Sequence, residues 1–342
     1  MTDPDLDETE VYFPSITDDD WATYQAEDLQ WNLEALGELK VFLEATETRA
    51  FIILKNGRIV VEEYWNKGLL NQQFQASTNW YWASAAKSLT SFLIGQAVSQ
   101  GKIDLEKPSS DYLGSGWSSL SPEEESRINV RHHLSMTTGL DDSIGFSCTD
   151  QECLSFKTNP GERWSYHNAP YTLLAEVLEG GSGQDFDDFF EENIKDQIGM
   201  DGFWQYVGYD HLFFSTARSM ARFGLLMKNG GKWDQDVVIE DTNFLASSIN
   251  SSQDIKPSYG YLWWLNGKSS KIFPGSQITI NQSMSQEAPQ DMYAALGTNS
   301  QILNIVPSES LVLVRMGGDP DDSLVPTSYM EEVWRLLNKV LP

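Results

Sequence analysis

Strand-forming runs lie at both ends of this chain and helix-forming runs lie between them. That distribution limits the fold more than any other feature. Near the N-terminus, AFIILKNGRIVVEEYW holds two β-rich runs, 50–54 and 59–64, on either side of Asn56-Gly57. A tight primed turn needs positive φ at both central residues, so an Asn-Gly pair between such runs predicts a hairpin. Near the C-terminus, QILNIV (301–306) and SLVLVRMG (310–317) flank Pro307-Ser308-Glu309 and predict a second hairpin. Between them, the stretch 102–255 is dominated by helical patterns such as YTLLAEVLEG (171–180) and STARSMARFGLLMKNGG (215–231), with loops rich in Gly, Ser and Asp. Helical periodicity is also expected over 27–47, over 85–100 and over 329–341.

Sheet-forming segments at both ends predict an α+β fold in which one antiparallel sheet is built from the two chain ends and flanked by helices. A mostly helical domain is inserted between them. The expected divisions are an acidic, mostly irregular lead-in at 1–27, a sheet domain from 28–100 and 256–342, and an inserted helical domain at 101–255. A length of 342 residues suits two such units.

Charge narrows the function. Against 23 Lys and Arg stand 50 Asp and Glu, a formal net charge of −27. Binding to nucleic acid or to an anionic membrane needs clustered cations, so neither is expected as a partner. No apolar stretch approaches the length of a membrane span. The first ten residues, MTDPDLDETE, are acidic where a secretory signal would be basic and then apolar. The chain as given is therefore expected to be cytoplasmic, or periplasmic or exported if a signal has been removed and the cysteines are bridged. Those cysteines, Cys148 and Cys153, read as a small-loop disulfide more readily than as two free thiols. Two thiols with no suitably spaced histidine pair do not make a zinc site, and no metal or cofactor is expected.

Ser84 and Lys87 stand three residues apart at the start of a mostly apolar helix, so their side chains share one face. A serine hydroxyl needs a base to become a nucleophile, and a lysine amine serves if burial keeps it neutral. The helix start also offers the Ser84 backbone N–H to an oxyanion. The spacing recurs at Ser99-Gln100-Gly101-Lys102, across a helix-ending glycine. Tyr166-His167-Asn168 supplies a phenol that can exchange protons with a serine and an amide that can hold the lysine and a substrate carbonyl. Its short pattern also recurs, at Tyr64-Trp65-Asn66 inside the first hairpin. Gly297, in Ala295-Leu296-Gly297-Thr298, would permit close backbone approach to a substrate and leave the Thr298 N–H as a second oxyanion donor. Tyr259, Tyr261, Trp263 and Trp264 in YGYLWW read equally as an acyl-pocket wall or as strand residues buried in alternation. His132 and His133 read as structural, and the His167 side chain should point away from its two neighbours.

Taken in order, Ser84/Lys87, Tyr166/Asn168 and Gly297 before the last strand pair resemble the serine β-lactamase and penicillin-binding-protein-like hydrolase superfamily. By pattern the nearest members are class C β-lactamases, D,D-peptidases, family VIII esterases and 6-aminohexanoate-dimer hydrolases. WASAAKSLTSFLIGQAVSQGKIDL resembles the nucleophile helix of that superfamily, VRHHLSMTTGLDD and WSYHNAPYTLLAEVLE its middle segments, and PSESLVLVRMG its closing hairpin. The resemblance implies a β-lactamase/transpeptidase-like fold. It implies that Ser84 is acylated, that Lys87 and Tyr166 share the proton work, and that Asn168 positions substrate. Which of Lys87 and Tyr166 is the acylation base stays open, because coupled groups titrate as a pair.

One motif departs from the pattern. Where members often carry Lys-Thr-Gly or His-Thr-Gly, this chain reads Ala295-Leu296-Gly297. Without that cation and hydroxyl, a substrate carboxylate loses its usual partner. The expected activity is thus an esterase or amidase acting through an acyl-enzyme on a small ester, amide or peptide-like substrate, more than a true β-lactamase. The alternative is a catalytically silent relative that binds such a ligand. No Gly-x-Ser-x-Gly elbow, phosphate loop or dinucleotide fingerprint is present.

Overall fold

The computed structural model describes residues 10–320 and 323–342. The first nine residues of the acidic lead-in lie outside the described residues. Both expected hairpins form: β1 (Thr48–Lys55) with β2 (Arg58–Tyr64), and β10 (Gln301–Val306) with β11 (Leu311–Gly317). Asn56 and Gly57 take φ of 49° and 79°, as a primed turn requires. Gly57 has a second reason to be glycine, since a Cβ there would lie 1.8 Å from the Tyr12 carbonyl oxygen.

The strands join into one antiparallel sheet in the order β2-β1-β11-β10-β9-β8, with β9 at Tyr293–Gly297 and β8 at Trp264–Leu265. The N-terminal hairpin meets the C-terminal strands along β1 and β11, where Ile52 pairs with Val314 and Leu54 with Val312. Every residue of β11 is buried, because helices cover both faces. One cover includes the helices Leu33–Ala45 and Thr327–Leu337, joined by the stacked rings of Phe42 and Tyr329 at 5.7 Å. Another is the helix Ala217–Lys228, where a Cβ on Gly224 would come within 2.5 Å of Val312. This helix lies in the stretch read as inserted, yet its partner is the sheet.

Two helix boundaries differ from the sequence expectation. The first helix begins at Leu33, not near 27, because the Asn32 side chain caps it by accepting from the N–H groups of Glu34 and Ala35. The last helix ends at Leu337, and Val340 then accepts from the Asn32 N–H at 2.8 Å, which ties the chain ends together. The lead-in is irregular but anchored: the Tyr24 N–H donates to the Ile59 carbonyl at 2.9 Å, and the Trp21 indole donates to the Gly57 carbonyl at 2.7 Å.

The middle of the chain also contains strands. β4 (Phe203–Val207) and β5 (Asp210–Ser215) form a hairpin, and β5 pairs with β3 (Trp80–Tyr81). FWQYV and DHLFFS are rich in aromatic β-formers, so the helical expectation there yields to strand packing. A short β6–β7 pair (Lys232–Trp233 and Asp236–Val237) follows. Among the described residues no helix is long and apolar enough to cross a membrane.

Candidate active site

β3 leads directly into Ser84. Trp80 and Tyr81 pair with Ser215 and Phe214 of β5, and the Trp82 N–H donates to the Phe213 carbonyl at 2.8 Å. The Trp82 indole is fully buried and donates to Ser215 Oγ at 2.7 Å. With Trp82 held, the chain turns through Ala83 at φ +48°, a left-handed conformation that costs an alanine free energy. The turn Ala83–Ala85 then feeds the helix Ala86–Ser99. Ser84 thus sits in a first helical turn, whose N–H groups have no partner within the helix. Residues 86–97 of that helix are all buried, as its apolar composition predicts.

Lys87 lies one turn further on, and its Nζ donates to Ser84 Oγ at 2.9 Å. The amine is enclosed by rings, 4.4 Å from the centre of Tyr171 and 5.1 Å from that of Tyr166. Burial brings its pKa down from 10.5 to about 7, with the Asp210 carboxylate pulling the other way. Close to neutral pH a large fraction of this amine is unprotonated and able to accept a proton.

Tyr166 is buried beside the same pair. Its OH has no hydrogen-bond partner of ordinary geometry. Burial pushes the phenol well up, and the neighbouring Ser84 hydroxyl pulls it part of the way back. The ring is wedged among Trp164, Tyr259 and Trp264, with centroids 5.5 to 6.4 Å away. Ser84 and Lys87 open onto a cavity of about 220 Å³ that is also lined by Asn168, Asp210 and Thr298. A larger groove of about 480 Å³ between Trp31 and Trp334 contains none of the candidate residues.

A serine and a buried amine open on one cavity with the Tyr166 ring packed beside the amine, and the sequence profile of the beta-lactamase family matches residues 43–317. The chain belongs to the beta-lactamase family. A curated relative, an uncharacterised protein of Alkalihalophilus pseudofirmus, is 25% identical over 77% of this chain and 81% of its own length. Penicillin-binding protein 4* of Bacillus subtilis is 31% identical over a stretch covering 21% of this chain and 20% of that protein. Among solved structures, a Bacillus anthracis protein provisionally named a 6-aminohexanoate-dimer hydrolase superposes with a TM-score of 0.70 at 20% identity, over 97% of this chain and 89% of that one. A family VIII carboxylesterase superposes with a TM-score of 0.67 at 13% identity, over 93% and 99% of the two chains. These likenesses establish the fold, which is the β-lactamase/transpeptidase-like α+β arrangement.

Other expected residues of this beta-lactamase family member fall in mixed places. Asn168 opens the helix Asn168–Ser182 and lines the cavity. Its amide nitrogen donates to Ser147 Oγ and to Asp210 Oδ1, both at 3.2 Å, and not to a group on Lys87. Gly297 ends β9 against the turn that carries Ser84. A Cβ there would lie 2.5 Å from the Trp82 carbonyl oxygen and 3.0 Å from the Ser84 nitrogen. The close approach that glycine permits is therefore to the turn that carries Ser84, while Thr298, next in sequence, lines the cavity. Gly297→Ala should push the two backbones apart. We expect about 100-fold lower kcat/KM on any turned-over ester, a loss of the size that a 1 Å misplacement can cause, with a lowered melting temperature.

Tyr259, Trp263 and Trp264 do not line the cavity. All three are buried, with Trp264 and Tyr259 packed behind Tyr166 and Trp263 stacked on Phe223 at 5.9 Å. Of the two readings of YGYLWW, burial is the one realised. Cys148 and Cys153 form a disulfide, and the loop it closes begins one residue after Ser147, which lines the cavity. His167 turns its ring toward the Gly145 carbonyl at 3.1 Å, away from the cavity. His133 is fully buried between Ser109 Oγ and the Pro170 carbonyl.

Sequence reasoning missed Phe146, Tyr171, Asp210 and His211, all of which line the cavity. For Asp210 and His211 a signal existed. Gly208-Tyr209 separates two aromatic β-runs at two-residue spacing, and hairpin ends often carry site residues.

Proposed function

We propose that the protein is a serine hydrolase that cleaves an ester or amide bond through an acyl-enzyme on Ser84. The observation that carries this reading is the 2.9 Å contact from Lys87 Nζ to Ser84 Oγ, made by a buried amine whose pKa has come down to about 7. Ser84 Oγ attacks the carbonyl carbon, its proton passes to Lys87, and the carbonyl π electrons move onto oxygen. The backbone N–H groups of Ser84 and Thr298 would hold that oxyanion. Collapse re-forms the carbonyl and expels the alcohol or amine, which takes a proton from Lys87 or from Tyr166. Water then attacks the acyl-enzyme under the same bases and releases the acid.

Ala295 stands buried where relatives often place a cation, and Leu296 where they place a hydroxyl, which supports ester or amide substrates over β-lactams. p-Nitrophenyl esters of short acids are therefore expected to turn over with higher kcat/KM than benzylpenicillin. A comparable value for the penicillin would overturn that preference.

The test of the acyl-enzyme is labelling with a fluorophosphonate, followed by peptide mapping. Label on Ser84, lost in Lys87→Ala, is the expected result; folded protein that no acylating probe labels would instead be a silent ligand-binding relative. Rate should follow the free amine. Below the Lys87 pKa of about 7 kcat/KM should fall tenfold per pH unit, and above it should level off. A rate that fell on raising the pH through 7 would require a protonated lysine and exclude it as base.

A further inference from the structure

The cavity beside Ser84 has a charge character that the family resemblance does not explain. Lys87 is the one Lys or Arg among its lining residues, and it must give up its charge to act as a base. His211, also in the wall, is held neutral because burial lowers its pKa to about 4. What remains is the carboxylate of Asp210, at the first residue of β5. This carboxylate is half-buried, and among the described residues it forms no ion pair within 4 Å. The one side chain that donates to it is Asn168, through Nδ2 at 3.2 Å. With Lys87 neutral, the cavity holds one negative charge and no positive charge to balance it.

We propose that Asp210 selects substrates whose acyl part carries an ammonium or similar cation. The inference rests on the hydrolase reading above and names the substrate class for the same site. The acyl part is the portion that stays bonded to Ser84 until water releases it, so its charge faces the cavity through both steps. A volume of about 220 Å³ equals that of roughly seven liquid waters at about 30 Å³ each. That admits a short amino-acyl chain. A carboxylate in the same place would meet the like charge of Asp210 and be rejected. The loss of the third-motif cation, where Ala295 stands, acts in the same direction. Asp210 is thus a specificity-determining residue, and its bond to Asn168 fixes where its charge points.

The experiment compares three p-nitrophenyl esters of matched size at neutral pH: 3-aminopropanoate, whose amine is protonated, butanoate, its uncharged isostere, and hydrogen succinate, which is anionic. In the native protein kcat/KM should fall in that order, with the ammonium ester at least tenfold ahead of butanoate. Asp210→Asn keeps an oxygen for Asn168 and removes the charge. It should cut the ratio of ammonium to neutral kcat/KM at least tenfold, chiefly through KM. A side chain that merely held Asn168 would change both substrates together and leave the ratio alone. A native ratio near one, or a ratio unmoved by Asp210→Asn, overturns the proposal. If no ester is hydrolysed, the hydrolase reading fails instead, and selectivity is then read by calorimetry with 3-aminopropanamide and butanamide. Tighter binding of the amine, lost in Asp210→Asn, sustains the role of Asp210, and equal or absent binding of the two amides overturns it.

Discussion

Lys87→Met should abolish acylation of Ser84 and at the same time make the protein more stable at neutral pH. The rate loss follows from removing the only amine within hydrogen-bond reach of Ser84 Oγ among the described residues. General bases contribute about 10²–10⁴-fold, so a drop of at least about 10³-fold in kcat/KM is expected. The stability gain follows from the same burial. The folded pKa of Lys87, about 7, lies below the ordinary 10.5. Between those values the unfolded chain holds a proton that the folded chain has released, so stability rises with pH across that window. The slope is about 1.4 kcal/mol per pH unit. Above pH 10.5 the lysine carries no penalty, and below pH 7 the penalty is complete. Methionine is apolar, flexible and similar in length, and it has no charge to desolvate. Allowing for the lost bond to Ser84, we expect Lys87→Met to be about 2–4 kcal/mol more stable at pH 7. That advantage should shrink toward zero as the pH approaches 10.5. Denaturant unfolding of both proteins at several pH values measures it. A variant that is less stable at pH 7, or a gap that ignores pH, would mean that the amine is charged and well paired in the folded state.

Arg315→Met should destabilise the fold by about 3–5 kcal/mol, the cost typical of stripping a buried charge network of one member. Arg315 is fully buried in the central strand β11. No carboxylate pairs with it among the described residues. Instead its guanidinium donates to the carbonyls of Asn299 at 2.7 Å, Ser300 at 2.9 Å, Gly318 at 3.1 Å and Thr46 at 2.8 Å, and to Thr48 Oγ1 at 3.1 Å. Methionine fills part of the volume but leaves these acceptors without donors. Arg315→Lys should recover only part of the loss, because three donors on one nitrogen cannot reproduce a planar fork. The site should suffer too. Asn299 and Ser300 both have positive φ, at 60° and 55°, in the turn that follows Thr298. Without the guanidinium that turn loses its anchor, so ester turnover should fall together with the unfolding midpoint. A shift below about 1 kcal/mol would show that water or a neighbour satisfies those carbonyls equally well.

Elements set by local chemistry were legible in the residues. The Asn56-Gly57 turn, the all-buried helix after Ser84 and the hairpin around Pro307 depend on neighbours a few positions away. Ser84 and Lys87 were legible for the same reason, since a helix brings residues three apart onto one face. Elements decided by distant partners were read less well. The β4–β5 hairpin looked like part of a helical region, because its strands are explained by pairing with β3, more than a hundred residues earlier in the chain. Trp263 and Trp264 offered two readings, and only their packing on Phe223 and Tyr166 chose between them.

By itself the sequence determined that both chain ends build one sheet, and that a serine and a lysine share the start of a buried helix. It also determined that the usual third-motif cation is missing. Tertiary structure alone decided that the Tyr166 ring packs beside that pair, that Gly297 abuts the Ser84 turn, and that Asp210 faces the cavity. The division has a physical cause. Turn and helix preferences act through dihedral angles and contacts within a few residues, so they are written locally. Which side chains line a cavity depends on strand register and on how separate layers stack, and those are settled only when the whole core is packed.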